Sequence, residues 1–206
     1  ISRYLYLIYN FCKIKFMVKK FTPFINDYIS NLTSSIREID FKKLQKVSDL
    51  ILKTVGKKKT IYVCGNGGSA AISNHYICDY LKFLRQNSKL RPKIISLSSN
   101  IETITAISND LNYDQIFKYQ AESLFEKGDL LIAISSSGNS SNIKEVVKFS
   151  KKRKVKVIGF CGFEGGFLKK NSDIAIHVKA NNYGISEDAH HILMHVIMQF
   201  VAQKNK

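Results

Sequence analysis

The run Gly65-Asn66-Gly67-Gly68-Ser69, directly after the apolar stretch Ile61-Tyr62-Val63-Cys64, constrains the fold of this chain more than any other feature. It reads as a buried strand delivering a glycine-rich turn, with a helical pattern opening at once at Ser69-Ala70-Ala71. Glycines let a backbone turn with positive φ and come close to a ligand. The free N–H groups at the start of the following helix favour an anion, phosphate above all. A second element of the same kind follows: Asp129 to Ile134 reads as a buried strand running into Ser135-Ser136-Ser137-Gly138-Asn139-Ser140. Two such turns, each ending a strand and opening a helix, converge at one edge of a parallel sheet. The sequence therefore predicts a phosphorylated ligand.

Helical and strand signals alternate with little linker, the pattern of an α/β domain. Helices are expected over 18–36, from an Asp40 N-cap to Gly56, and over 69–85, 101–109, 112–126, 140–152 and 186–203. Segments rich in Ile, Val, Leu and Ala at 60–64, 93–97, 129–135, 155–160 and 173–178 read as strands covered on both faces. Right-handed crossovers would wind these, behind N-terminal helices, into a three-layer αβα sandwich around a five-stranded parallel sheet. Nothing indicates a repeat or a second domain. Leu5-Tyr6-Leu7-Ile8-Tyr9 is too short to span a bilayer and lacks a small-residue cleavage site. Met17 is the expected natural start, with 1–16 a non-native or mis-annotated leader and 17–206 a single domain.

The 206 residues suffice for a substantial core. The net charge of +16 invites a nucleic-acid partner, but the basic residues are scattered, with small clusters at Lys57-Lys58-Lys59 and Lys151-Lys152-Arg153-Lys154. No stacking aromatics accompany them, so nucleic acid is not the expected partner. The charge is available to steer anionic substrates instead. Cys12, Cys64, Cys78 and Cys161 form neither a CxxC pair nor a disulfide framework. They are expected to be small buried hydrophobes in a reducing, cytoplasmic compartment, with no membrane involved.

Chemistry concentrates on two helices. His75 and Asp79 are spaced by four, as are Glu187, His191 and His195, with His190 off that line. Of five histidines only His177, in a strand, lies elsewhere, and it reads as structural. Imidazole and carboxylate at helical spacing suit either a zinc site or acid–base work. A single histidine could equally be a hydrogen-bonded core or surface residue, and His191 stays open between these roles.

Taken in order, Gly65 through Ala71, Asn74-His75-Tyr76, Ala106-Ile107-Ser108-Asn109-Asp110, Ser135 through Ser140, Val157-Ile158-Gly159-Phe160 and Glu187 through His195 resemble the sugar isomerase (SIS) domain family, in its phosphoheptose isomerase branch. The likeness runs over about residues 20–203. It implies a flavodoxin-like sandwich, assembled as a homotetramer with active sites between subunits. It implies conversion of sedoheptulose 7-phosphate to D-glycero-D-manno-heptose 7-phosphate, for heptose of lipopolysaccharide or capsule. It also implies phosphate and sugar contacts at Asn66, Gly67, Gly68, Ser69, Asn109, Asp110, Ser135, Ser136, Ser137, Ser140 and Glu187. Zinc ligands are implied at His75, Asp79, Glu187 and His195, and the acid–base pair at Asp79 and His195.

Two positions depart from the family pattern. Its usual glutamate is here Asp79, and its usual glutamine is here Glu187. The lost methylene retracts the first carboxylate by on the order of 1 Å, enough to weaken proton transfer, and Glu187 could supply a longer carboxylate from the facing helix. Either residue can then be the base of an enediol mechanism, with His195 as acid and zinc as polariser. The rival readings are a non-catalytic SIS protein that binds a partner such as the bacterial replication initiator, and a sugar-phosphate sensor. Retention of His195 and of carboxylates on both helices favours the isomerase.

Overall fold

Side chains that alternate along each strand feed two separate cores. The computed structural model describes residues 20–206; the expected leader and the start at Met17 lie outside the described residues. Asn31–Lys206 forms one compact unit, separate from the residues before it, and the sheet belongs to that unit. Helix α1 covers Phe21–Arg37 and α2 covers Phe41–Gly56. Five strands follow among the described residues: β1 (Thr60–Gly65), β2 (Lys93–Ser96), β3 (Leu130–Ser135), β4 (Lys156–Cys161) and β5 (Ile174–His177). All pair in parallel, in the order β2-β1-β3-β4-β5.

Ile61, Val63, Leu130, Ile132, Ile134, Ile158, Phe160 and Ile176 form one core with α2, α3 (Gly68–Cys78) and α8 (Tyr183–Gln203). Tyr62, Cys64, Leu131, Ala133, Val157 and Cys161 form the other. That second core packs onto α4 (Ile101–Asp110), α5 (Ile116–Leu124), α6 (Ser141–Lys152) and α7 (Gly166–Asn171). The expected three-layer sandwich is thus the observed one. Burial of β3 at every position explains its uninterrupted apolar run. Truncating a side chain such as the fully enclosed Ile132 to alanine would cost about 2–5 kcal/mol.

Helix ends follow local chemistry. Asp40 caps α2 by accepting from the Lys42 amide at 3.0 Å, as expected. Asn182 caps α8 by accepting from the Ile185 amide at 3.1 Å, so that helix begins earlier than its apolar pattern suggests. Beyond Cys78, α3 passes into a π-helical stretch, Asp79–Leu84, before a last α turn at Arg85–Asn87. The helix expected over 112–126 starts as a 3₁₀ turn, Tyr113–Gln115, before α5. Helix α7 escapes the sequence pattern because two glycines, both at positive φ, open it. The expectation of buried cysteines holds for Cys64 and Cys161 and is corrected for Cys78, which is exposed. There the core-facing positions of the helix are taken by Tyr76 and Tyr80.

Candidate active site

The order 2-1-3-4-5 reverses between β1 and β3, and such a reversal leaves a crevice beyond the carboxyl ends of these strands. The turn after β1 enters it through Gly67, whose φ of +54° is one that side chains rarely tolerate. The serine turn after β3 enters from the other side. Together they close a cavity of about 140 Å³ lined by Asn66, Ser69, Ser135, Ser136, Ser137, Ser140, Tyr183 and Glu187. Helices α3 and α6 both open at this cavity, so their positive dipole ends supply the attraction for an anion, and none of the lining residues is Lys or Arg.

Hydrogen bonds fix the crevice in shape. The side-chain amides of Asn66 and Asn142 exchange two bonds, each 2.9 Å, tying one turn to the helix after the other. The Tyr113 hydroxyl donates to Asn66 Oδ1 at 3.0 Å. Ser135 and Ser140 share a hydroxyl contact of 3.2 Å. Ser136 Oγ is buried and finds no hydrogen-bond partner among the described residues. Its hydrogen-bonding capacity is therefore unused by the described residues.

Glu187 stands in the wall between this cavity and a second one. A Cβ added at Gly68 would run into the Glu187 carboxylate, so the glycine is what admits it. The second cavity, about 300 Å³, is lined by Gly68, Ala71, Ile72, His75, Glu187, Asp188 and His191. Burial, followed by the charge of Asp188, raises the Glu187 pKa above the ordinary glutamate value of 4.5.

Beyond Glu187 the imidazoles gather. His75 Nε2 and His195 Nε2 lie 3.2 Å apart. Asp79 bridges them, with Oδ1 3.4 Å from His75 Nε2 and Oδ2 3.2 Å from His195 Nε2. Asp79 opens the π stretch, a feature that often marks functional sites. The His191 ring stacks on His195 (centroids 4.8 Å, 26°) and meets His75 edge-on (4.8 Å, 70°). Ligand atoms of all three histidines lie within 4.8 Å of one another.

These residues fit a metal ion. Four donors at 2.0–2.1 Å around tetrahedral zinc sit about 3.4 Å from each other, close to the contacts among His75, Asp79 and His195. Asp79 Oδ2 is near His195 yet makes no hydrogen bond, and His191 Nε2 is likewise buried without a partner among the described residues. Burial, then the nearby His195 and His75, lower the His191 pKa and keep its lone pair free. Buried polar atoms left without a hydrogen-bond partner are ones that a cation can satisfy.

The SIS domain family profile matches residues 25–162. The chain belongs to the SIS domain family. The phosphoheptose isomerase of Campylobacter concisus is 34% identical over 158 residues, covering 77% of this SIS chain and 83% of that protein. The structure of phosphoheptose isomerase GmhA from Neisseria gonorrhoeae superposes with a TM-score of 0.81 at 26% identity, over 88% of this chain and 96% of that one. A phosphoheptose isomerase from Francisella tularensis gives 0.82 at 25% identity, over 90% and 98%. Within the SIS family the chain stands in the phosphoheptose isomerase branch.

Not every sequence-derived residue of this SIS domain meets the crevice. Asn109 and Asp110 sit exposed at the end of α4, where the amide of Asn109 donates to Asp110 Oδ1 at 2.9 Å, and they line neither cavity. His177 Nε2 bonds the Phe163 carbonyl at 2.8 Å. His190 is enclosed edge-on against Phe160, and burial holds its pKa down to about 4. Asn142, Tyr113 and Tyr183 were not singled out by sequence. The available signal was position: Asn142 follows the serine turn by two residues, and Tyr183 follows a helix cap.

Proposed function

We propose that this SIS protein interconverts sedoheptulose 7-phosphate and D-glycero-D-manno-heptose 7-phosphate. Membership among the phosphoheptose isomerases makes it an aldose–ketose isomerase of sugar phosphates, and the relatives' shared name supports the seven-carbon substrate. The observation that carries the reading is the position of Glu187, whose carboxylate lines both the hydroxyl-rich cavity and the cavity reaching His75.

The two turns hold the phosphate through serine hydroxyls and helix N–H groups. Glu187 takes a proton from C1 of the ketose, while an N–H of His195 gives one to the carbonyl oxygen at C2, leaving an enediol. Protonated Glu187 returns its proton to C2 and an imidazole accepts the one leaving O1, which yields the aldose. A raised Glu187 pKa suits this exchange, since a base works best when its pKa approaches the operating pH. Asp79 holds His75 and His195 in place and, with them, would hold zinc. When bound, zinc supplies Lewis-acid polarisation of the substrate oxygens.

The same reading includes a homotetramer, a cytoplasmic location and supply of heptose to lipopolysaccharide or capsule. Self-association is supported by an apolar groove of about 410 Å³ between α2 and α8, with Phe41, Ile192, Val196 and Phe200 in its lining. No helix among the described residues is long and apolar enough to cross a membrane. The +16 charge draws an anionic substrate.

Purified protein incubated with sedoheptulose 7-phosphate in D₂O should form the aldose, with deuterium at C2 in proportion to how far the proton carried by Glu187 exchanges with solvent before its return. Chelator should stop the reaction and zinc restore it. No conversion, together with no shift in melting temperature by the sugar phosphate, refutes the isomerase. A shift without conversion points to a sensor.

A further inference from the structure

We propose that His191 is a metal ligand in this chain, completing a three-imidazole set with His75 and His195, and that Glu187 stays outside the coordination. The proposal rests on the zinc reading above and departs from the ligand set the family resemblance implies. Two donor pairs face each other across the helix contact: His75 and Asp79 on one helix, His191 and His195 on α8, each spaced by four. The ligand atoms of the three histidines converge within 4.8 Å. His191 Nε2 is buried with no hydrogen-bond partner among the described residues, so ring stacking on His195 leaves that ring nitrogen unused. A cation reached by His75 and His195 is what that nitrogen can serve.

Glu187 lies outside the group of converging ligand atoms. Its carboxylate occupies the space beside Gly68 and lines the serine cavity as well as the histidine one. The charge balance agrees with this division. Three neutral imidazoles and one Asp79 carboxylate leave a divalent ion with a net charge of about +1, available to a developing enediolate. A second carboxylate in the set would cancel it. Keeping Glu187 free also preserves a base unencumbered by the ion. His191 thus offsets the reach lost where Asp79 stands in place of a longer acid.

The test uses the full chain, stripped and reloaded with zinc or cobalt(II). Zinc affinity is read by competition with a chromophoric chelator, and cobalt geometry by its visible absorption. H191A should lower zinc affinity by more than the ~10–100-fold typical of losing an outer-shell partner and should alter the cobalt bands. E187Q should keep zinc affinity within about threefold and leave the bands in place. H191C keeps a donor at the site and should show a thiolate-to-cobalt charge-transfer band, a positive signal that misfolding cannot produce. H191A binding zinc as tightly as the native chain, or H191C without that band, overturns the role of His191. An E187Q loss equal to that of H191A overturns the exclusion of Glu187. A native chain that takes up no metal overturns the zinc reading itself, an outcome distinct from the others.

Discussion

The Cβ that Gly68 lacks would fall on the carboxylate of Glu187. The first residue of α3 and an acid early in α8 are therefore fitted to each other, and the absent side chain sets where the acid rests. Gly68→Ala should displace Glu187 and reduce kcat by on the order of 10²-fold, the penalty of a misplacement near 1 Å. Stability should hold or rise, because alanine is the better helix former. Steady-state kinetics beside far-UV circular dichroism would separate the two effects, and equal losses in both would count against the fit.

Glu187 must be ionised to act as a base. Burial and Asp188 raise its folded-state pKa, so activity should be lost as pH falls through a value above 4.5. The acidic limb of kcat/KM against pH reports that value for the free enzyme. Glu187→Gln should cut kcat by about 10²-fold or more and abolish the limb. Survival of the limb in that variant would assign it to another group.

The serine cavity separates binding from stability. Ser136 Oγ has no partner among the described residues, so Ser136→Ala should leave the melting temperature unchanged while raising KM roughly tenfold, the worth of one hydrogen bond to an anion. Asn142→Ala should instead destabilise the fold by about 1–3 kcal/mol, since it strands the Asn66 amide. Thermal melts with and without inorganic phosphate would read both.

His190 makes the fold sensitive to acid. Its folded pKa is held down to about 4, against 6.5 when exposed, so the unfolded chain binds the proton first. Stability from this residue is whole above pH 6.5 and declines as pH falls toward 4, by on the order of 3 kcal/mol. Urea melts of the native chain and of His190→Leu at pH 7 and 4.5 should show the native chain losing more. Parallel losses would mean that His190 is already protonated inside the fold.

Periodicity made most of the fold legible, because strands buried on both faces and amphipathic helices carry their burial in their residue types. Ile61 and Tyr62 go to opposite cores, yet both are apolar, so the strand is visible and its facing is not. The π stretch at Asp79 was invisible, since one added residue in a turn leaves no mark on composition. In the site, spacing made each helical set legible by itself, His75 with Asp79 and His191 with His195, while their joining was implied only by the family resemblance. The place of His191 depended on how two helices pack, which no single helix encodes. The Asn66–Asn142 exchange joins residues 76 positions apart, beyond any local rule.

That amide exchange also bears on how the protein meets its ligand. Since the two loops are clamped to each other by the chain's own side chains, the crevice proposed to take the anion has its shape before anything enters it. Little binding free energy then goes into assembly at this end, and discrimination between one sugar phosphate and another must come from what happens farther along the carbon skeleton.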